Sequence, residues 1–336
     1  MTSGTAALLS VKEIEVTISS QKRLMTVVSG VSFDVRHAET VGIVGESGCG
    51  KSMTALSIMG LLPKRVSRLT AGSILLNDQD LTAMSKRQLR RIRGNEIAMI
   101  FQDPLTSLNP TMKISTQIIE ALKLHQGLTG EAARREAVSW LERVGVPSAG
   151  RRADEYPHQF SGGMRQRVMI AMALCCRPKL LLADEPTTAL DVSVQDQILR
   201  LLKGLQTDLG MAMVLITHDL GVVAGTTDRV LVMYAGQVVE SASTEDIFYQ
   251  PGHPYTRALL AAIPRLDDQR EWLYSIEGRP PEFHAVPAGC RFAPRCQYVI
   301  DDCRQAPPLE PLADGHQVAC WRASELLESW GSSNAA

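Results

Sequence analysis

A mixed α/β fold with a parallel central sheet is predicted by three stretches of this 336-residue sequence. Thr40–Val44 is an apolar run that leads into GESGCGKS at Gly45–Ser52, and a helix-forming stretch, Met53–Met59, follows. Lys179–Ala183 is a second short apolar run, ending in Asp184-Glu185-Pro186. Phe160–Gln166 reads FSGGMRQ, a glycine-rich helix start. Short continuous apolar strands of this kind belong inside parallel sheets, where both faces are covered.

The loop in the first stretch fits G-x-x-x-x-G-K-[ST], and strand, loop and helix are the context that pattern requires. Gly45, Gly48 and Gly50 let the backbone curl so that its N–H groups point inward, and the helix N-terminus adds partial positive charge beneath a phosphate. Lys51 can reach the outer phosphates, and the Ser52 hydroxyl suits Mg²⁺. Glu46, Ser47 and Cys49 complete the phosphate-binding set. An ordinary glycine turn is the bland alternative, and the flanking strand and helix argue against it. Carboxylates at the C-terminal end of a strand stand where open α/β sheets bind their ligands. Asp184 is therefore read as a Mg²⁺ ligand, direct or through water. Glu185 is read as the general base that orients and polarises an attacking water. Asp-Glu-Pro would also suit a helix N-cap, and the phosphate loop in the same chain makes that the weaker reading.

The other elements follow in order. Residues 8–40 read as short strands, with alternation in Val31–Val35. Gly72–Leu76 is a further strand, and residues 105–178 are largely helical. Within them, Glu131–Val144 places Ala133, Ala137, Val138 and Leu141 at helical spacing. A helix over Ser193–Leu209, a strand over Ala212–Ile216 and a hairpin within Val230–Val239 close the core. Lys86–Arg93 is the one strongly basic run and reads as a solvated helix face. It has no interleaved aromatics to suggest nucleic acid.

Composition narrows the class. The net charge of −1 gives no field to gather nucleic acid or acidic lipid, and aromatics are sparse at 5%. No stretch offers 18 uncharged apolar residues; the longest candidate is Val168–Cys176. The first residues lack the basic and apolar regions of a signal peptide. A soluble cytoplasmic protein is expected, with any membrane association made through partners.

With Gln102 in IFQDP, Ala189-Leu190-Asp191 and His218 in ITHD added to the three stretches, the chain resembles ATP-binding cassette (ABC) transporter ATPases over about residues 10–260. Phe160 stands where leucine is commoner. The resemblance implies a P-loop ATPase with a RecA-like core, an antiparallel β subdomain, a helical subdomain and a small cysteine-containing C-terminal extension. It also implies two cassettes closing head to tail, with ATP between the loop of one and the signature of the other. Ser161, Gly162, Gly163 and Gln166 would then face the partner's ATP. Gln102 would contact Mg²⁺ and the water, His218 the γ-phosphate, and Asp191 the partner's site. The family's adenine-stacking aromatic has no counterpart here; Ile18 stands nearest, and no aromatic lies between Met1 and Phe33.

His253–Leu260, Ser107–Pro110 and Tyr156–Gln159 resemble elements of oligopeptide and dipeptide importer ATPases, of the D type. The division implied is an ATPase domain at 8–250 and an extension at 251–336. Implied partners are a second ATPase subunit, two transmembrane permeases and an extracytoplasmic solute-binding protein, on the cytoplasmic face of the inner membrane and without nucleic acid. Peptides are the default cargo; nickel or metallophores are the alternative. Cys290, Cys296, Cys303 and Cys320 carry four of the seven cysteines, spaced C-x5-C-x6-C-x16-C. Cytosolic disulfides are disfavoured, so a [4Fe–4S] cluster, Zn²⁺ or unligated core thiols remain open. The resemblance favours the cluster. Cys175 and Cys176 read as core, and Cys49 as a thiol open to oxidation. Repair and chromosome ATPases share the loop and signature but carry a long coiled coil between them. Here about 110 residues separate Lys51 from Ser161, without sustained heptads. Translation-associated cassettes usually come in pairs, and there is no internal repeat.

Overall fold

The computed structural model describes residues 7–20, 23–188, 190–263 and 275–333. They form two compact units, each assembled from separate parts of the chain. One unit is Asp80–Ile216 with Val35–Glu39, and the other is Leu9–Asp34, Thr40–Gln79 and the chain from Thr217 onward.

In the first unit, Ile97–Ile100, Leu180–Asp184 and Ala212–Ile216 pair in parallel. Every residue of the first two strands is buried, which explains their uninterrupted apolar sequences. The helices Ile114–Gln126, Gly130–Arg143, Gly162–Leu174 and Val192–Leu209 pack a core around Trp140, Phe160, Leu174 and Leu202. Of the expected apolar stripe, Ala133, Ala137 and Leu141 are buried and Val138 is half-buried, and Trp140 joins the buried set. The basic run forms the short helix Lys86–Ile92. Ser85 caps it through Gln88 in a capping box, and its cationic side chains point to solvent.

In the second unit, Thr40–Val44 pairs in parallel with Arg229–Tyr234. Antiparallel strands then continue outward through Gln237–Ser243 and His316–Val318 to Glu310–Ala313. The last two belong to the C-terminal extension, which thus completes this sheet. Ser67–Leu76 pairs antiparallel with Ala7–Ser20, with Ile18 opposite Ser67. The rings of Tyr234, Tyr255 and Phe292 meet at centroid distances of 4.6 to 5.4 Å. They join the hairpin, the helix Pro254–Ala261 and the cysteine-bearing segment in one core. Among the described residues, no helix is long and apolar enough to cross a membrane.

Candidate nucleotide site

The phosphate loop leaves a fully buried strand and enters the helix Lys51–Ile58. Its first glycine is dictated by close approach: at Gly45, φ is +154°, and a Cβ would lie 2.1 Å from the Met233 carbonyl oxygen. Alanine cannot fit there without moving backbone. Lys51 is 4% exposed, and its Nζ donates to the carbonyls of Gly45 at 2.7 Å and Glu46 at 3.0 Å. The Cys49 thiol is buried, and burial pushes its pKa up. Burial thus disfavours the thiolate, the species on which the expected sensitivity to oxidation depends.

Glu46 is gripped from two places in the extension that sequence reasoning missed. Its backbone N–H donates to the Tyr255 hydroxyl at 2.9 Å. Its carboxylate takes a bidentate pair from Arg295, at 2.7 and 3.0 Å. The available signal was an arginine inside an otherwise apolar, cysteine-spaced segment, Phe292–Cys296.

Among the acidic residues, Asp184 ends its strand at 5% exposure. Glu185 follows with φ at +46°, a left-handed conformation that costs a non-glycine residue about 1–3 kcal/mol and is concentrated at functional sites. Its N–H donates to the Ile216 carbonyl at 2.9 Å, which fixes the turn. Its Oε2 accepts from Gln102 Nε2 at 2.9 Å and from Thr188 Oγ1 at 2.8 Å. Gln102 and Glu185, 83 positions apart, are thus brought together. Thr188 was not foreseen. His218, in the second unit, is exposed after the strand Ala212–Thr217.

Ser161 caps the helix Gly162–Leu174, its hydroxyl accepting from the Met164 N–H at 3.4 Å. A Cβ at Gly163 would lie 2.8 Å from Val194 Cγ1, so close helix packing alone demands that glycine. Gln166 is 2% exposed, and its amide nitrogen has no partner among the described residues. Asp191 caps the helix Val192–Leu209, accepting from Val194 N and Ser193 Oγ at 2.9 Å each. These bonds hold its carboxyl below the usual range. Ala189 of the same motif lies outside the described residues.

The expected metal site is corrected. Cys290, Cys296, Cys303 and Cys320 line one small pocket with Phe292 and Trp321, of about 10 Å³. Among the described residues, no group of three or more His, Cys, Asp or Glu is arranged to hold a metal ion. The expected iron–sulfur cluster and its zinc alternative are therefore withdrawn, and the four thiols, each half-buried, line an apolar pocket. Burial raises the thiol pKa of Cys290 and Cys296, and that of Cys320 to about 11. Alkylation of Cys320 at pH 8 in the native protein is accordingly expected to run at least about tenfold slower than in the unfolded chain. Equal rates, read by mass spectrometry of iodoacetamide-treated samples, would contradict this.

Strand, glycine loop, paired carboxylates and capped signature helix define an ABC-type ATPase. Comparison with known proteins agrees: the ABC transporter family matches residues 28–188, and the oligopeptide/dipeptide transporter C-terminal region matches residues 239–303. The chain is 50% identical to the dipeptide transport ATP-binding protein DppD of Bacillus subtilis (strain 168), over 95% of this chain and 96% of that protein. It is 50% identical to the oligopeptide transport ATP-binding protein OppD of Escherichia coli (strain K12), over 96% and 95% respectively. A dimeric structure of the ATP-binding cassette MJ0796 bound to ADP and Pi superposes with a TM-score of 0.63 at 28% identity, covering 70% of this chain and 98% of that one. The chain belongs to the oligopeptide and dipeptide transport ATP-binding protein family.

Proposed function

We propose that this chain is the ATP-hydrolysing subunit of an importer for peptides, working with two permease subunits, a second ATPase and an extracytoplasmic binding protein, at the inner face of the membrane. The observation that carries the reading is the extent of the match, 50% identity over 321 residues, extension included. The two family matches also support a division into an ATPase domain at 8–250 and an extension at 251–336.

Lys51 and the loop N–H groups bind the β- and γ-phosphates of ATP. Ser52, Asp184 and the Gln102 amide oxygen are hard oxygen donors, the set that Mg²⁺ prefers, and Mg²⁺ supplies charge neutralisation at the phosphates. Glu185 takes the proton of the attacking water, oriented by Gln102 and Thr188, and His218 contacts the γ-phosphate. Ser161, Gly162 and Gly163 present a helix N-terminus to the partner subunit's nucleotide, with Gln166 behind them in the helix and Asp191 in the turn that faces the partner.

The cargo is tested by purifying the chain with its permeases into vesicles and measuring ATP-driven uptake of labelled di- and oligopeptides. Accumulation of peptides supports the reading. Accumulation of nickel chelates instead would move the cargo to metallophores. Ser161→Arg is expected to lower hydrolysis at the partner's site by at least about a hundredfold while ATP binding to this chain's own loop persists. Full turnover by that variant in the assembled complex would remove the signature role.

A further inference from the structure

We propose that the adenine of ATP is received against Phe283, in a cleft formed by the C-terminal segment Arg279–His284 and the phosphate loop; this rests on the loop's assignment to ATP. The cleft measures about 550 Å³. It is lined by Ser47, Gly48 and Cys49 of the loop, by Met25 of the strand Arg23–Arg36, and by Arg279 and Phe283. A Cβ at Gly48 would meet nothing within 4 Å, so the loop backbone is bare where it borders this space. A nucleotide with its phosphates in the loop has to send ribose and base into an adjoining space, and this one adjoins the loop directly.

The chemistry of the lining suits a nucleobase. Phe283 is half-buried, and a ring held at a cleft wall offers a flat apolar face for stacking. The Met25 thioether is a soft, adaptable partner for an aromatic edge. Arg279 and Glu282, also at the wall, provide polar groups for ribose and base edges. The first strand, Ala7–Ser20, has no ring to offer: no aromatic precedes Phe33, which is buried.

One side chain fixes this wall to the loop. The Arg295 guanidinium, 4% exposed, holds both oxygens of Glu46 at 2.7 and 3.0 Å. It also donates to the carbonyls of Glu277 at 2.9 Å and Ile276 at 3.3 Å, where the segment begins. Arg291 adds a bond to the Ala235 carbonyl. Arg295 is thus a positioning residue, acting on the base through the segment it anchors.

The test is equilibrium titration of the full chain with ATP and, separately, with inorganic tripolyphosphate, which has no base. Phe283→Ala is expected to weaken ATP by roughly five- to a hundredfold and to leave tripolyphosphate within about twofold. Phe283→Tyr keeps the ATP affinity. Arg295→Met weakens ATP, and Arg295→Lys restores part of the loss. An equal loss for both ligands in Phe283→Ala would mean general damage to the loop and would overturn the proposal, as would no loss for either. If the unmodified chain binds tripolyphosphate but shows no preference for ATP, the base has no site here and the proposal falls alone. If it binds neither, the assignment of the loop to ATP falls with it.

Discussion

Glu185→Gln lowers ATP hydrolysis by about 10²–10⁴-fold while ATP binding is kept, the loss expected when a general base is removed. The geometry makes this substitution unusually clean. Gln102 and Thr188 both donate to the same oxygen, Oε2, so a glutamine carbonyl in that place accepts both bonds. The left-handed turn is held by the Glu185 N–H on the Ile216 carbonyl, which the substitution leaves untouched. Thermal stability should therefore stay within about 0.5 kcal/mol, and the loss should lie in kcat. Steady-state hydrolysis and nucleotide titration on the same preparation decide it; a variant that turns over at the normal rate would take the role of base away from Glu185.

Glu240→Ala costs about 3–5 kcal/mol, the scale for removing one partner of a buried charged network. Glu240 is fully buried. It accepts from Gly252 N at 2.6 Å and His253 N at 3.0 Å, and its Oε1 lies 2.8 Å from Nε2 of buried His316. Alanine leaves two backbone donors and an imidazole without their acceptor, and it removes the side-chain tie between the hairpin and the strand His316–Val318. Denaturant unfolding measures the loss, and a difference below about 1 kcal/mol would show that water replaces the carboxylate. The same cluster carries an acid limit. Burial depresses the His253 pKa from 6.5 to about 4, so the unfolded chain binds the proton more readily than the fold does. That contribution is intact above about pH 6.5 and is lost as pH falls toward about 4.

The phosphate loop, the buried strand before Asp184 and the helix periodicities were legible because each rests on local rules: a spacing, an apolar run, a 3.6-residue repeat. Gln102 and His218 were found only through resemblance, since a lone glutamine or histidine carries no local pattern. Residues defined by what they reach across the chain stayed hidden. Arg295 is ordinary until Glu46 is seen beside it, and Glu240 looks like an exposed acid in a hairpin until its three donors converge. The four cysteines misled for a related reason: ligand type and spacing say that thiols can gather, whereas the arrangement a metal needs is set by the fold, and no such group is present among the described residues. Asp191 and Gly163 show the reverse case, in which helix capping and close packing already demand the residue that the motif also names.

The grip of Arg295 and Tyr255 on Glu46 bears on how far this chain can be divided. Cutting it at residue 250 would preserve every sequence motif of the cassette, yet it would remove both hands that hold the second position of the loop, 249 and 209 positions downstream. The ATPase portion is therefore not a portable module. Grafting it onto another transporter without its own C-terminal end would transplant the motifs and leave behind the part that keeps the nucleotide pocket in shape.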